Sequence, residues 1–366
     1  MADRLLVSTH KGLFPFQRVG SDRWKAEQPA FLGEDVTLTL LDRRSGRLHA
    51  ALNLGHFGVK RHISDDGGNT WIEASVPAYD EHDQVITGDG KDPQPAALKL
   101  IWALEAGGED QPGRLWAGTA PGGLFRSDDD GETWTLVRSL WDRDERKHWF
   151  GGGYDWPAIH SICVDPNNSR SIRLAISCGG AWLSDDDGET WTIGTGMKAD
   201  FMPPDRVDDP NIQDAHRMVQ CPSAPEHMWI QHHCGIFRST DAGRTWNQIT
   251  AAQPSAFGFA VAVHPEQPGT AWFVPAVRDA CRVPVDGRFV VTRTRDGGES
   301  FDILSEGLPT PPAWDLVFRH GLAIDETGEE LAMGSTTGGL WFSTNQGDTW
   351  QCLSEHLPPV NAVCFA

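Results

Sequence analysis

The chain has 366 residues and a formal charge of −20, a balance that excludes the basic patches needed to hold nucleic acid or an anionic membrane surface. Its 39 Gly, 24 Pro and 16 Trp, beside only two Tyr, fit many short strands joined by tight turns. No stretch approaches the roughly 20 apolar residues of a membrane helix. The N-terminal run Leu5-Leu6-Val7 is too short for a signal peptide, and seven scattered Cys without CxxC spacing suit reduced thiols, so a cytoplasmic location is expected.

Taken in order, the chain repeats a unit of four short strands, A to D. The first unit is partial: Gly12-Leu13-Phe14 announces strand C, and Gly20 to Trp24 forms a degenerate turn into strand D. From there on, an octapeptide makes the C–D turn. It reads SDDGGNTW at Ser64–Trp71, SDDDGETW at both Ser127–Trp134 and Ser184–Trp191, and STDAGRTW at Ser239–Trp246. Looser copies stand at Thr294–Phe301 and Ser343–Trp350. The closing aromatics are 63, 57, 55, 55 and 49 residues apart, a period that marks a repeat architecture. The clearest full unit has Ile159–Pro166 as strand A, Arg173–Cys178 as B, Ala181–Ser184 as C and Glu189–Ile193 as D.

The chain starts at a strand B and ends on a spare strand A, Val360 to Phe365. Seven units with that offset predict an all-β, seven-bladed β-propeller whose ring closes by pairing the last strand into the first blade. One domain is expected over 1–366, with blades at about 1–30 plus 358–366, 31–78, 96–140, 158–197, 215–252, 256–309 and 313–357.

The octapeptide is a turn device. Asp66, Asp129, Asp186, Asp241, Asp296 and Asn345 can accept nearby backbone N–H groups, the Gly two positions later permits positive φ, and the aromatic packs between sheets. Its acids lack the alternating oxygens and distant bidentate Glu of a calcium loop. On this motif the sequence resembles the Asp-box (BNR repeat) propellers, a sialidase-like superfamily that includes sialidases, sortilin-type receptors, glycan hydrolases and lyases, and a photosystem II assembly factor. The resemblance implies the fold, and either a glycosyl-hydrolase-like enzyme or a scaffold for a protein partner. Sialidase chemistry does not carry over. No Phe/Tyr-Arg-Ile-Pro motif stands near the N-terminus, and the only tyrosines are Tyr79 and Tyr154, both in the first half.

The octapeptides mark one face, so ligands are expected on the other, where the B–C and D–A connections lie. Three D–A connections are long: Pro77 to Pro95, Trp141 to Pro157 and Met197 to Asp214. Loops of that length are usually functional. Counting back from the strand ends, the first inward positions of the seven A strands are Thr37, Lys99, His160, His216, Phe259, Trp314 and Asn361. The B–C turns add His10, His56, Cys178, His232, His233 and Arg278, so six of the 14 His fall on one face. His160, His216, Lys99 and Tyr154 are the candidate catalytic residues. His10, His56, Trp149, Trp156, Arg217, His232, His233, Arg278 and Trp314 are candidate ligand contacts, with Lys99, Arg217 and Arg278 suited to an anionic group.

The histidines allow several readings. His160, His216 and His233 can bind a divalent metal, zinc or manganese, or exchange protons without one; otherwise they cap strand ends. The acids of the third loop, Asp200, Asp205, Asp208, Asp209 and Asp214, read as a solvated charge run or an acid/base pair. The expected function is a hydrolase or lyase, not a standard sialidase, acting on a glycan-like or carboxylate-bearing small molecule. The alternative is a non-enzymatic scaffold using the same face.

Overall fold

The computed structural model describes residues 2–366. Seven four-stranded antiparallel sheets form a seven-bladed β-propeller. In blade 1 the C-terminal strand Val360–Phe365 pairs with Arg4–Thr9, which pairs in turn with Gly12–Arg18 and Trp24–Ala26. The predicted closure is therefore observed. The inner strands of blades 2 to 7 are Val36–Asp42, Leu100–Ala106, Ala158–Asp165, Ala215–Gln220, Gly258–Val263 and Leu322–Ile324.

The core lies between blades. The second residue of a middle strand is Trp116, Trp229 or Trp272 in blades 3, 5 and 6, and all three are fully buried. Burying an apolar side chain of this kind contributes on the order of 2–3 kcal/mol, so these inter-sheet contacts dominate cohesion.

Each octapeptide adopts one geometry. In the Ser184–Trp191 copy, Ser184 Oγ donates to Asp186 Oδ1 at 2.8 Å and accepts from Gly188 N at 2.8 Å. Asp186 Oδ1 also accepts from Thr190 N at 2.9 Å, and its Oδ2 from the Thr190 hydroxyl at 2.6 Å. Asp66, Asp129, Asp241 and Asp296 repeat the pattern. Asn345 keeps the backbone bond and donates its amide to Thr349. The fourth and fifth residues are both left-handed, as at Asp187 (φ 65°) and Gly188 (φ 83°). The fifth is Gly in all six copies.

These turns also join the blades. Arg61 of blade 2 donates to Gly131 O in the blade 3 turn at 2.6 Å. Arg173 of blade 4 reaches Ala242 O at 2.7 Å, and Arg293 of blade 6 reaches Gln346 O at 2.8 Å. Arg4 contacts Gly67 O, Arg238 contacts Gly297 O, and Arg114 pairs with Asp187 at 2.6 Å. Six turns thus each receive an arginine from the preceding blade. The joint from blade 7 to blade 1 differs: Glu330 pairs with Arg18, whose guanidinium lies over Trp24.

Candidate functional site

The inner strands share a defect that aims side chains at the channel. In six blades the inner strand carries one residue more than its neighbour at a register shift, and in blade 6 Phe259 and Ala260 together face Val274. The residues are Thr37, Trp102, His160, His216, Phe259 with Ala260, and Asn361. A β-bulge of this kind re-aims the side chain it carries. The expected ring is met at Thr37, His160, His216, Phe259 and Asn361.

It is not met in blades 3 and 7. Lys99 precedes its strand and is exposed, and Trp102 takes the inward place. Trp314 stands 59% exposed on the rim, because 313–320 is irregular and the inner strand begins only at Leu322. Arg319 and His320 fill that sector instead.

On the face opposite the octapeptides the channel mouth opens into a cavity of about 500 Å³. The second long connection brings Phe150 to Tyr154 into it, and the third brings Phe201 and Asp214. The first connection does not line the cavity but braces the second, with Gly88 N donating to Trp149 O at 2.6 Å. Tyr154 is 39% exposed with its ring edge against Trp102 at 5.6 Å. Burial, then the Asp35 charge, raises its phenol above the usual range.

Arg319 is the least satisfied group here. It is 7% exposed, with its guanidinium 4.5 Å from the Trp102 ring centroid and 5.6 Å from that of Phe259. Among the described residues it has no ion pair, and its Nε is buried without a partner. Burial pulls it down to about 10, still protonated at neutral pH. A buried guanidinium against aromatic faces, near the Asp214 charge but in direct contact with no carboxylate, can receive an anion.

Beside it, Asp214, His216 and His233 converge, each presenting an atom within 4.8 Å of the others. Asp214 is 4% exposed and forms no part of a solvated charge run. Its Oδ1 is held by Ser177 Oγ at 3.1 Å and Cys178 N at 3.2 Å. Its Oδ2 faces His216 Nε2 at 3.5 Å and His233 Nδ1 at 3.3 Å. Burial alone would raise this carboxyl, yet the two imidazoles and the Arg319 charge hold it well below the usual range. His216 Nδ1 lies 2.7 Å from Gly258 O. A carbonyl only accepts, so Nδ1 carries the proton and Nε2 presents a lone pair when the ring is neutral. Burial favours that neutral form.

The other sequence-based candidates lie elsewhere. His160 is fully buried in the channel wall, its Nε2 donating to Ala215 O at 2.6 Å and its Nδ1 paired with Ser161 Oγ at 2.9 Å. Both nitrogens are committed, so His160 does not join His216 and His233. His232 is buried beneath Phe237, its Nδ1 accepting from Cys234 N at 3.0 Å. Trp149 packs into the blade core against Trp182, and Trp156 stacks under Lys91. Neither is a stacking platform for a ligand. Arg217 faces the opposite end of the channel, in a cavity of about 400 Å³ shared with Glu105, which burial pushes up to about 7. Arg278 is exposed beside a shallow outer pocket, while Arg282 reaches the mouth cavity, paired with Asp279. His56 is exposed and stacked on Phe57, whereas His10 and His233 line the cavity.

The counting missed Trp102 and Arg319, although a signal existed. The ring residue lies five positions before the last residue of the Thr37 and His160 strands, at Asp42 and Asp165. The same count back from Asp325 gives His320, next to Arg319.

No family model matches the chain. The xyloglucanase Xgh74A of Acetivibrio thermocellus is 26% identical over 263 residues, covering 64% of this chain and 29% of that protein. The chain thus spans about three-tenths of the length of this curated relative. Among solved structures, the GH74 xyloglucanase of Xanthomonas campestris superposes with a TM-score of 0.60 at 17% identity, covering 96% of this chain and 52% of that one. YCF48 bound to a D1 peptide superposes with a TM-score of 0.56 at 13% identity, covering 93% and 89%. These likenesses agree with the seven-bladed fold.

Proposed function

We propose that this propeller is a hydrolase or lyase that takes a carboxylate-bearing small molecule of carbohydrate type in the mouth cavity. The observation that carries the reading is Arg319, a buried cation with no direct ion pair or hydrogen bond among the described residues, in an aromatic-walled cavity. Burying a charge unpaired is costly, and a ligand carboxylate would offset that cost with charge-assisted hydrogen bonds. The rings of Trp102, Phe259 and Tyr154 would stack on the ligand's apolar faces. His233 is the proton carrier in this reading. Its Nδ1 turns to Asp214, which orients the ring, and the other nitrogen exchanges the proton. The likeness to xyloglucanases supports a carbohydrate ligand.

Calorimetric titration with a panel of sugar acids and their neutral parent sugars tests this. At least one acid should bind, its parent sugar should not, and Arg319→Met should weaken the acid about 100-fold or more, the usual result of leaving a buried charge partner unpaired. Equal binding of acid and parent sugar, or no binding at all, would overturn it. A second reading, a scaffold for a protein partner, is supported by YCF48, which this chain matches over most of both lengths and whose solved complex holds a peptide. That reading gives no use to a buried, unpaired Arg319.

A further inference from the structure

We infer that Asp214 Oδ2, His216 Nε2 and His233 Nδ1 form a binding site for one divalent first-row transition metal. A metal about 2.1 Å from each of two donors holds them roughly 3.0 Å apart at octahedral and 3.4 Å apart at tetrahedral angles. The carboxylate oxygen lies 3.5 Å from one imidazole nitrogen and 3.3 Å from the other. Both distances exceed the roughly 2.7–2.9 Å of a charge-assisted hydrogen bond. The spacing therefore suits a shared cation better than a direct ion pair.

The ring orientation points the same way. Gly258 O takes His216 Nδ1 at 2.7 Å, so Nε2 is the nitrogen turned to the carboxylate oxygen and the one a metal would take. The outer shell is already built. Ser177 Oγ and Cys178 N orient Asp214 through its other oxygen, and His233 N donates to Asp214 O at 2.9 Å. Metal ligands ordinarily have such supports.

The three ligands come from two segments that the fold brings together. Asp214 ends the third long connection, His216 is the bulged residue two positions on, and His233 lies in the B–C turn of the same blade. The bulge is what turns the His216 ring to the channel. Overhead, Gly152 and Gly153 let the second connection close over the cluster. A Cβ on Gly152 would lie 2.7 Å from Cys178 Sγ and 3.1 Å from Asp214 Oδ1, and one on Gly153 would lie 2.9 Å from Arg319 Nη2. Two imidazoles and one carboxylate leave coordination positions open to the cavity. This rests on the reading above for the ion's role in chemistry and replaces one part of it: a bound ion occupies His233 Nδ1, so the metal and not His233 would be the activating group. When bound, it supplies a Lewis acid beside the carboxylate receptor.

The test is calorimetry with elemental analysis on chelator-treated full-length protein, titrated separately with Zn²⁺, Mn²⁺, Ni²⁺ and anaerobic Fe²⁺. At least one of these should bind saturably at one equivalent per chain. Asp214→Asn and His233→Ala should each weaken that metal by at least about 10- to 100-fold, the range known for outer-shell changes alone. His160→Gln should leave it unchanged. His233 is partly exposed, so its truncation should not unfold the blade, and circular dichroism checks this. No saturable uptake, or uptake indifferent to both ligand variants, would overturn the site. Repeating the sugar-acid titration on metal-free protein separates the two ideas. Acid binding without metal uptake removes only the metal, and metal uptake without acid binding removes only the proposed substrate class.

Discussion

The two faces of the ring treat buried polar groups in opposite ways. On the turn face, Arg61 is nearly inaccessible, yet its guanidinium reaches Ser75 O, His49 Nδ1 and Gly131 O. On the mouth face, Arg319 is almost as buried and has aromatic rings instead of acceptors. A satisfied buried charge holds structure together. An unsatisfied one costs stability, and its position in a cavity points to a partner from outside. The proposed ligand site rests on this contrast.

The sharpest way to break this comparison is to remove each guanidinium in turn. Arg61→Met takes the donor from Ser75 O and His49 Nδ1, while Gly131 O keeps Ser75 Oγ, and should cost about 2–3 kcal/mol in urea unfolding, with ligand binding intact. Arg319→Met should leave stability unchanged or raise it, since it removes a desolvated charge. If both variants lose stability equally, the two faces do not differ as described.

Next in size is the response to acid. Two fully buried histidines beside the mouth are held neutral by burial, His160 well below its ordinary value and His232 down to about 3. Their folded values lie below the unfolded value of about 6.5, so the unfolded chain binds more protons as pH falls. Stability present above pH 6.5 is then lost progressively toward pH 3. Hydrogen bonds from Thr70 and Thr133 hold Asp66 and Asp129 at about 2. Their share persists above the unfolded value of about 3.9 and is lost between about pH 4 and 2. Urea midpoints across pH 7 to 2 should therefore fall in two stages. His49, beside Arg61, adds to the upper stage, so His160→Gln should remove part of that stage and leave the lower one unchanged. A single loss confined below pH 4 would contradict the assignment.

Asp186→Ala should cost about 1–2 kcal/mol through lost turn hydrogen bonds, read as a lowered Tm with unchanged ligand affinity. Trp314→Ala should be the smallest, within about 0.5 kcal/mol and without effect on binding. A large loss of affinity there would restore Trp314 to the site.

The sequence exposed the fold far better than the cavity. The octapeptide repeats the same local bonds six times, so blade count, closure and the face the turns occupy were all readable. Five ring positions were readable because apolar runs with clear ends frame them. Blade 7 was not, because 313–320 is irregular before a three-residue strand. Asp214 was grouped with its exposed acidic neighbours, for burial of one carboxylate among five leaves no mark in composition. The inter-blade arginines were also invisible, since each finds its acceptor more than 50 residues away.

Those arginines give the ring a direction. Each blade lends a donor forward to the turn of the next, from blade 1 through to blade 7. The two ends of such a series are unequal. Deleting the last blade takes Gln346 O and Asp348 from Arg293, which keeps Asp302, whereas deleting the first takes Arg18 from the buried Glu330 and leaves strand Val360–Phe365 without its partner. The first blade therefore carries the closure as well as one link of the series, and losing it opens the ring.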